Sequence, residues 1–219
     1  MGVVVTVSGS VGGIGTSTFA FAVALQAGSG AVLIDAQSDG VPLDVLIGAE
    51  NAVGTRWSQV RIRSSDIAAD TVSAALPEHH GIRVLSADRD GLPDAVAIGH
   101  LVTVLRAEAD VIVVDVPARH PLRQSLRPDV DLLLLPPTLP GIVAATHALL
   151  PGTRACVVDP GFADVPLSRV GEYLDHPVAG TIRWQRAVSV AATAGDPLPV
   201  GCDVMRLAAR VLSGGTDDV

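Results

Sequence analysis

Residues 9–18 read GSVGGIGTST and join a strand-like apolar run, Val3–Val7, to an almost wholly apolar helix-length run, Thr18–Ala27. A glycine-rich turn in that position constrains the fold more than any other feature of the chain. It reverses the backbone tightly at the end of a strand and brings a helix N-terminus up to the strand's carboxyl end, the opening move of an α/β unit. Such a turn presents backbone N–H groups and the positive end of a helix dipole to an anion. A side-chain cation is missing. Aligned on the pattern G-x-x-x-x-G-K-[ST], Ser10 takes the first glycine, Gly15 keeps the last, Thr16 stands at the lysine and Ser17 keeps the hydroxyl. The loss is global, because all fifteen basic residues of the chain are arginines.

Further apolar runs that read as buried strands lie at Ala31–Ile34, Ile82–Leu85, Val111–Val114, Leu132–Leu135, Ala155–Val158 and Val178–Ile182, with helix-length segments between most of them. Asp94–Glu108 sets Ala97, Leu101, Val104 and Leu105 on one face behind Pro93, and Val204–Leu212 opposes Leu207, Val211 and Leu212 to Arg206 and Arg210. This alternation predicts a doubly wound, mostly parallel sheet with helices on both faces. At 219 residues, one domain over 1–213 with a disordered tail over 214–219 is expected. Charged residues are 17% and aromatics 3%, so the core must be Val, Ala, Leu and Ile, as suits strands buried on both faces. Residues 51–65 are the least regular stretch and read as a mobile insertion.

Composition narrows the function. A net charge of −8 argues against binding nucleic acid or anionic membranes. The longest apolar stretch, Leu132–Leu150, is broken by Pro136, Pro137 and Pro140, so no membrane insertion is expected. The N-terminus lacks a basic start and cleavage pattern, which predicts a cytoplasmic protein. Cys156 and Cys202 have no metal-ligand spacing and read as buried thiols. The histidines form no H-E-x-x-H or H-x-x-E-H spacing, the serines no G-x-S-x-G elbow, and Trp57, Tyr173 and Trp184 are too scattered for base stacking.

The turn leaves two ligand readings open. As a nucleotide cradle, Gly12, Gly13, Ile14, Gly15, Thr16, Ser17 and Thr18 would surround the phosphates of ATP or ADP, and Ser17 would meet Mg²⁺. As a dinucleotide turn, Gly9, Gly13 and Gly15 would hold NAD(P), with Asp35 on a ribose hydroxyl. In both, Asp35 and Asp115 end their strands at the carboxyl edge where the turn lies, and Asp115 is the candidate for the water shell of Mg²⁺. They are the candidate catalytic carboxylates if the site is active. The reductase form of the second reading needs Y-x-x-x-K; Tyr173 is the sole tyrosine and Pro177 stands four residues on.

Beyond the turn, VLIDAQSDGVPLDVLIG at Val32–Gly48, DVIVVDVPA at Asp110–Ala118, DVDLLLLPPT at Asp129–Thr138 and PVAGTIRWQRAVSVAATAGDPLP at Pro177–Pro199 follow in order. With them the chain resembles the MinD/ParA group of deviant P-loop ATPases over nearly its whole length, and within it the septum-site-determining (Ssd), CpaE and TadZ-like branch. The resemblance implies a homodimer formed across the glycine-loop face and a regulator of septum placement or of pilus and secretion machinery that acts through protein contacts. The family loop reads K-G-G-x-G-K-[ST]-[ST]; here Val11 and Thr16 replace both lysines, and Gln37 replaces the second Asp of the family's D-x-D. Those departures imply weak or no ATP binding and little or no hydrolysis. An arginine such as Arg119 or Arg123, just after Asp115, is the candidate to stand in for lysine in a slow but competent ATPase.

Overall fold

The computed structural model describes residues 1–37, 40–60, 69–87 and 94–214. Among them, strands β1 (Val3–Gly9), β2 (Ala31–Asp35), β3 (Glu78–His79), β4 (Ile82–Leu85), β5 (Val111–Asp115), β6 (Val130–Leu135), β7 (Thr153–Asp159) and β8 (Val178–Arg183) form one sheet in the order β3-β4-β2-β5-β1-β6-β7-β8. Only the β3–β4 pair is antiparallel. Every strand expected from an apolar run is present. The two-residue β3 was missed because it is too short to show alternation.

Helices α1 (Thr16–Ala27), α2 (Leu43–Leu46), α3 (Ala69–Ala75), α4 (Ala95–Leu105), α5 (Pro121–Ser125), α6 (Leu139–Thr146), α7 (Val170–Leu174), α8 (Arg186–Ala194) and α9 (Asp203–Leu212) connect the strands. They cover both faces. Val5 and Val7 of β1 and Val113 of β5 point toward a core shared with α1 and α9, whereas Val4, Ile112 and Val114 point toward α4. A third cluster, Leu133 and Leu135 with Ile142, Ala145 and Val170, packs α6 and α7 on that second side of β6 and β7. Alternation along buried parallel strands thus feeds two helical layers, the expected doubly wound arrangement.

The helix boundaries differ from expectation for local reasons. α1 starts at Thr16 because Gly15, at φ 92°, supplies the left-handed residue that turns the chain into the helix. α4 is capped by the Asp94 side chain, which accepts from the Ala97 N–H at 2.8 Å. Its buried face is Ile98, Leu101, Val102 and Leu105, so Ala97 and Val104 sit at the margins; Pro93 lies outside the described residues. α9 buries Val204, Leu207, Ala208 and Val211, with Leu212 only half-buried.

Residues 51–60 are not the loose insertion expected, although 61–65 fall outside the described residues. Trp57 is 2% exposed and its indole N–H donates to the Asp35 carbonyl at 2.6 Å. Arg56 pairs with Asp44 at 2.9 Å and donates to the Ala49 and Ala52 carbonyls. The segment is irregular because it is held by side chains, which no periodicity reports. Residues 215–219, most of the expected tail, also lie outside the described residues.

Candidate functional site

Asp35 and Asp115 are cross-strand partners on β2 and β5, and Val7 of β1 pairs with Asp115 on its other side. The two carboxylates and the glycine turn therefore share one edge of the sheet, as the strand ends predicted. The Ser10 N–H donates to the Leu134 carbonyl at 2.8 Å and ties the start of the turn to β6. Gly13 and Gly15 hold φ 72° and 92°, where an L side chain is strained. No side chain caps α1 and its first turn carries no acidic residue, so the positive end of its dipole faces the turn uncompensated.

A cavity of about 600 Å³ opens over this helix end. Gly12, Gly13, Gly15, Thr16, Ser17 and Thr18 line it, and Gln37, Val41, Leu46 and Pro117 close it. Ile14, the remaining residue of the expected cradle, instead lines an adjoining pocket of about 280 Å³ with Phe19, Ile182, Arg183 and Trp184. Among the described residues, none that lines the larger cavity carries a charge. Thr16 does not reach outward as a lysine would. A β-carbon on Gly9 would collide with the Thr16 hydroxyl, so that hydroxyl lies folded back against the Gly9 backbone.

The carboxylates behave differently from each other. Asp35 is 2% exposed and spends its oxygens on backbone donors: Oδ1 accepts from Gln37 at 3.0 Å, and Oδ2 from Leu43 at 3.0 Å and Ala87 at 3.3 Å. Burial raises its pKa while those N–H groups oppose the rise. Asp35 thus pins three segments together and offers no open oxygen to a ribose, contrary to the dinucleotide expectation. Asp115 is fully buried; its Oδ1 accepts from the Gln37 side-chain amide at 2.9 Å, and its Oδ2 has no partner. Burial pushes its pKa up to about 6, against the opposing pull of the nearby Ser17 and Gln37 side chains. Ser17 and Asp115, expected together, do meet. The role of Gln37 was invisible in the sequence beyond its being a substitution, since only the fold brings its amide to Asp115.

Arg123 cannot stand in for lysine at the turn. It is 1% exposed and its guanidinium donates to both oxygens of Asp131, at 2.8 and 2.6 Å, and to the Ala118 and Ala148 carbonyls at 2.9 and 2.6 Å. Asp131, the second residue of β6, stands level with Thr6 of β1 rather than at the turn, and sequence reasoning passed over the pair altogether. Arg119 is exposed, one residue beyond the cavity-lining Pro117 and Ala118. Among the described residues no group of three or more His, Cys, Asp or Glu side chains is placed to hold a metal ion, and no helix is long and apolar enough to cross a membrane. Cys156 and Cys202 are free and buried, and burial pushes the Cys156 thiol up to about 12.

No family model matches the chain. It is 33% identical over 218 residues to an uncharacterized protein of Mycobacterium tuberculosis, in strains CDC 1551 and H37Rv, covering 98% of this chain and 58% of that protein. The chain thus spans a little over half the length of the curated relatives it matches. Among solved structures it superposes on the MinC:MinD cell division protein complex of Aquifex aeolicus with TM-score 0.79 at 19% identity, covering 100% of this chain and 98% of that one. A ParA family ATPase from Chlorobium tepidum matches with TM-score 0.73 at 14% identity over 96% and 98% of the two chains. The septum site-determining protein MinD complexed with Mg-ADP from Pyrococcus horikoshii matches with TM-score 0.72 at 17% identity over 100% of both. With its glycine turn between β1 and α1, its central β1 and its parallel sheet of this order, the chain has the MinD/ParA-type P-loop ATPase fold.

Proposed function

We propose that this chain is a MinD-like regulator of the Ssd, CpaE and TadZ-like kind, which positions a septum or a pilus or secretion apparatus through protein contacts. It works as a homodimer across the glycine-loop face, with nucleotide as a weak conformational ligand and little or no hydrolysis. The observation that carries this reading is the uncharged cavity at the turn. Backbone N–H groups and the α1 dipole remain to attract a phosphate, but among the described residues no side-chain cation lines the cavity to stabilise charge on a transferring phosphoryl group. Removing one such donor typically costs about 10²–10³-fold in rate. The pocket beside Ile14, which Trp184 also lines, would take the base.

The residues present fit a divalent cation: the buried Asp115 Oδ2 lacks a donor, and Ser17 sits against the same carboxylate. Ser17 and Asp115 would hold Mg²⁺, which supplies charge neutralisation on the phosphates when bound. Gln37 meanwhile keeps its amide on Asp115 Oδ1, where the family resemblance puts a carboxylate that orients water. An amide holds Asp115 in place and activates nothing.

Titration of the purified protein with ATP, ADP and NAD, followed by light scattering and phosphate release, tests the reading. Dimerisation with ATP and no turnover supports it; preferential NAD binding overturns it. Turnover that vanishes in Asp115→Ala and in Arg119→Ala establishes instead a slow ATPase, for which the exposed Arg119 beside the cavity is the remaining arginine candidate.

A further inference from the structure

A separate pocket of about 260 Å³ lies between β8 and α9, and three of the chain's arginines, Arg183, Arg206 and Arg210, meet in it. Arg206 and Arg210 are one helical turn apart on α9, so their side chains leave the same face; Arg183 ends β8 beside them. Among the described residues one carboxylate, Asp203, lines the pocket; it pairs with Arg206 and accepts from the Arg183 backbone N–H at 3.3 Å. The remaining lining is Leu167, Leu207 and Thr181. Like charges are therefore gathered at one spot of a chain whose net charge is −8. Gly180 allows the approach, since a β-carbon there would run into the Leu207 side chain and come within 3.5 Å of the Arg210 guanidinium.

From this convergence we propose that the β8–α9 pocket is a docking site for an acidic protein segment, a carboxylate bound by Arg183 and Arg210 and a neighbouring apolar side chain set against Leu167 and Leu207. Guanidinium forks match carboxylates in geometry and charge. The surroundings favour a short peptide over nucleic acid. The pocket is small, it contains a carboxylate of its own, and the overall negative charge repels a long polyanion that a local carboxylate escapes through screening. Arg183 also lines the pocket beside the glycine turn. The docking proposal itself does not depend on nucleotide binding.

The test is fluorescence anisotropy of the full chain at physiological salt with a labelled eight-residue peptide of alternating Asp and Leu, and in parallel with a labelled 20-base-pair DNA duplex. Saturable peptide binding is expected, weakened about tenfold or more by Arg183→Ala and by Arg210→Ala, as losing a charge-assisted contact does, and partly restored by Arg210→Lys. Arg169→Ala, whose side chain pairs with Glu172 on the surface outside this pocket, is expected to bind as the unaltered chain does. The Arg183→Ala/Arg210→Ala double variant, checked by its unfolding transition, guards against a folding defect in either single change. Peptide affinity unchanged in the folded double variant, no saturable peptide binding, or tighter binding of the duplex overturns the proposal.

Discussion

Two buried aspartates flank β1 on its two sides, Asp115 level with Val7 and Asp131 level with Thr6, and are treated in opposite ways. Asp131, at the start of β6, receives the Arg123 guanidinium on both oxygens, the Thr6 hydroxyl at 2.6 Å on Oδ1 and the Thr153 hydroxyl on Oδ2. Asp115, at the end of β5, receives one amide on one oxygen and has no donor on the other. A buried charge is tolerable when paired and fully hydrogen-bonded, and costly otherwise. The Asp131 side of β1 is therefore built as structure. The carboxyl edge keeps an under-satisfied carboxylate behind an uncharged cavity and the open end of α1, an arrangement that stability alone does not explain.

The contrast breaks most visibly at Arg123. Arg123→Ala strands the Asp131 charge in the interior, and the expected loss is about 3–5 kcal/mol, read as a lower denaturant midpoint at an unchanged slope. Arg123→Met with Asp131→Leu should recover most of that loss, because an apolar pair of similar volume replaces the ion pair without leaving either partner charged. If Arg123→Ala instead left stability intact and altered nucleotide turnover, the roles of the two aspartate sites would be reversed.

Asp115 should respond in the opposite sense. Its pKa rises from 3.8 to about 6 on folding, so the folded state holds a proton that the unfolded chain has released between those values. The group's contribution to stability is fully present below pH ~4 and is lost as pH rises through about 6. A shift of about two units corresponds to roughly 3 kcal/mol, and Asp115→Asn should stabilise the protein by up to that amount above pH 7 and flatten the slope between pH ~4 and ~6. Asp35 is raised in the same direction, so a residual slope of the same sign is expected to survive. Chemical denaturation of both proteins at a series of pH values checks this.

Much of the carboxyl edge was legible in advance. The turn, both strand-end carboxylates and the Ser17–Asp115 meeting all follow from residues that lie at the ends of continuous apolar runs, where period and punctuation carry the signal. The Asp131 cluster was not. Arg123, Asp131, Thr6 and Thr153 lie as far apart as 147 residues between Thr6 and Thr153, and nothing local distinguishes a buried arginine from an exposed one. Gln37 failed to announce itself for the same reason, its partner standing 78 positions away. The short helices α2 and α7 were missed because neither is long enough to show a 3.6-residue period, and the order of residues 51–60 was missed because the side chains that hold it, Arg56 and Trp57, leave no periodic pattern.

Restoring the cation sharpens the functional half of the comparison. Thr16→Lys places an ammonium at the one position of the turn whose side chain now folds back on Gly9. A charge-assisted bond contributes about 1.5–3 kcal/mol, so ATP affinity should rise about tenfold to a hundredfold, measured by isothermal calorimetry. Turnover should remain slow, because Gln37 still occupies Asp115 and no carboxylate orients water. Adding Gln37→Asp to Thr16→Lys separates the two defects: a rise in turnover only in the double variant would show that positioning of water, not phosphate binding, limits the site.

The smallest expected effect concerns what holds the carboxyl edge in shape. The Trp57 indole N–H, buried, donates to the Asp35 carbonyl, while the Asp35 carboxylate gathers the backbones of Gln37, Leu43 and Ala87. Trp57→Phe keeps most of the apolar contact and removes the donor, leaving a buried carbonyl one bond short, which typically costs about 1–3 kcal/mol; the low end is expected because the same carbonyl sits at a strand end. Its consequence should be local. Gln37 is two residues from Asp35, so loosening that anchor frees the amide from Asp115, and hydrogen exchange should quicken at Gln37 and Leu43 while the β6 and β7 amides near Asp131 keep their protection. Equal quickening at both sites would mean that the two aspartates belong to one cooperative unit, and that the separation between a structural site and a poised one is not built into the stability of the fold.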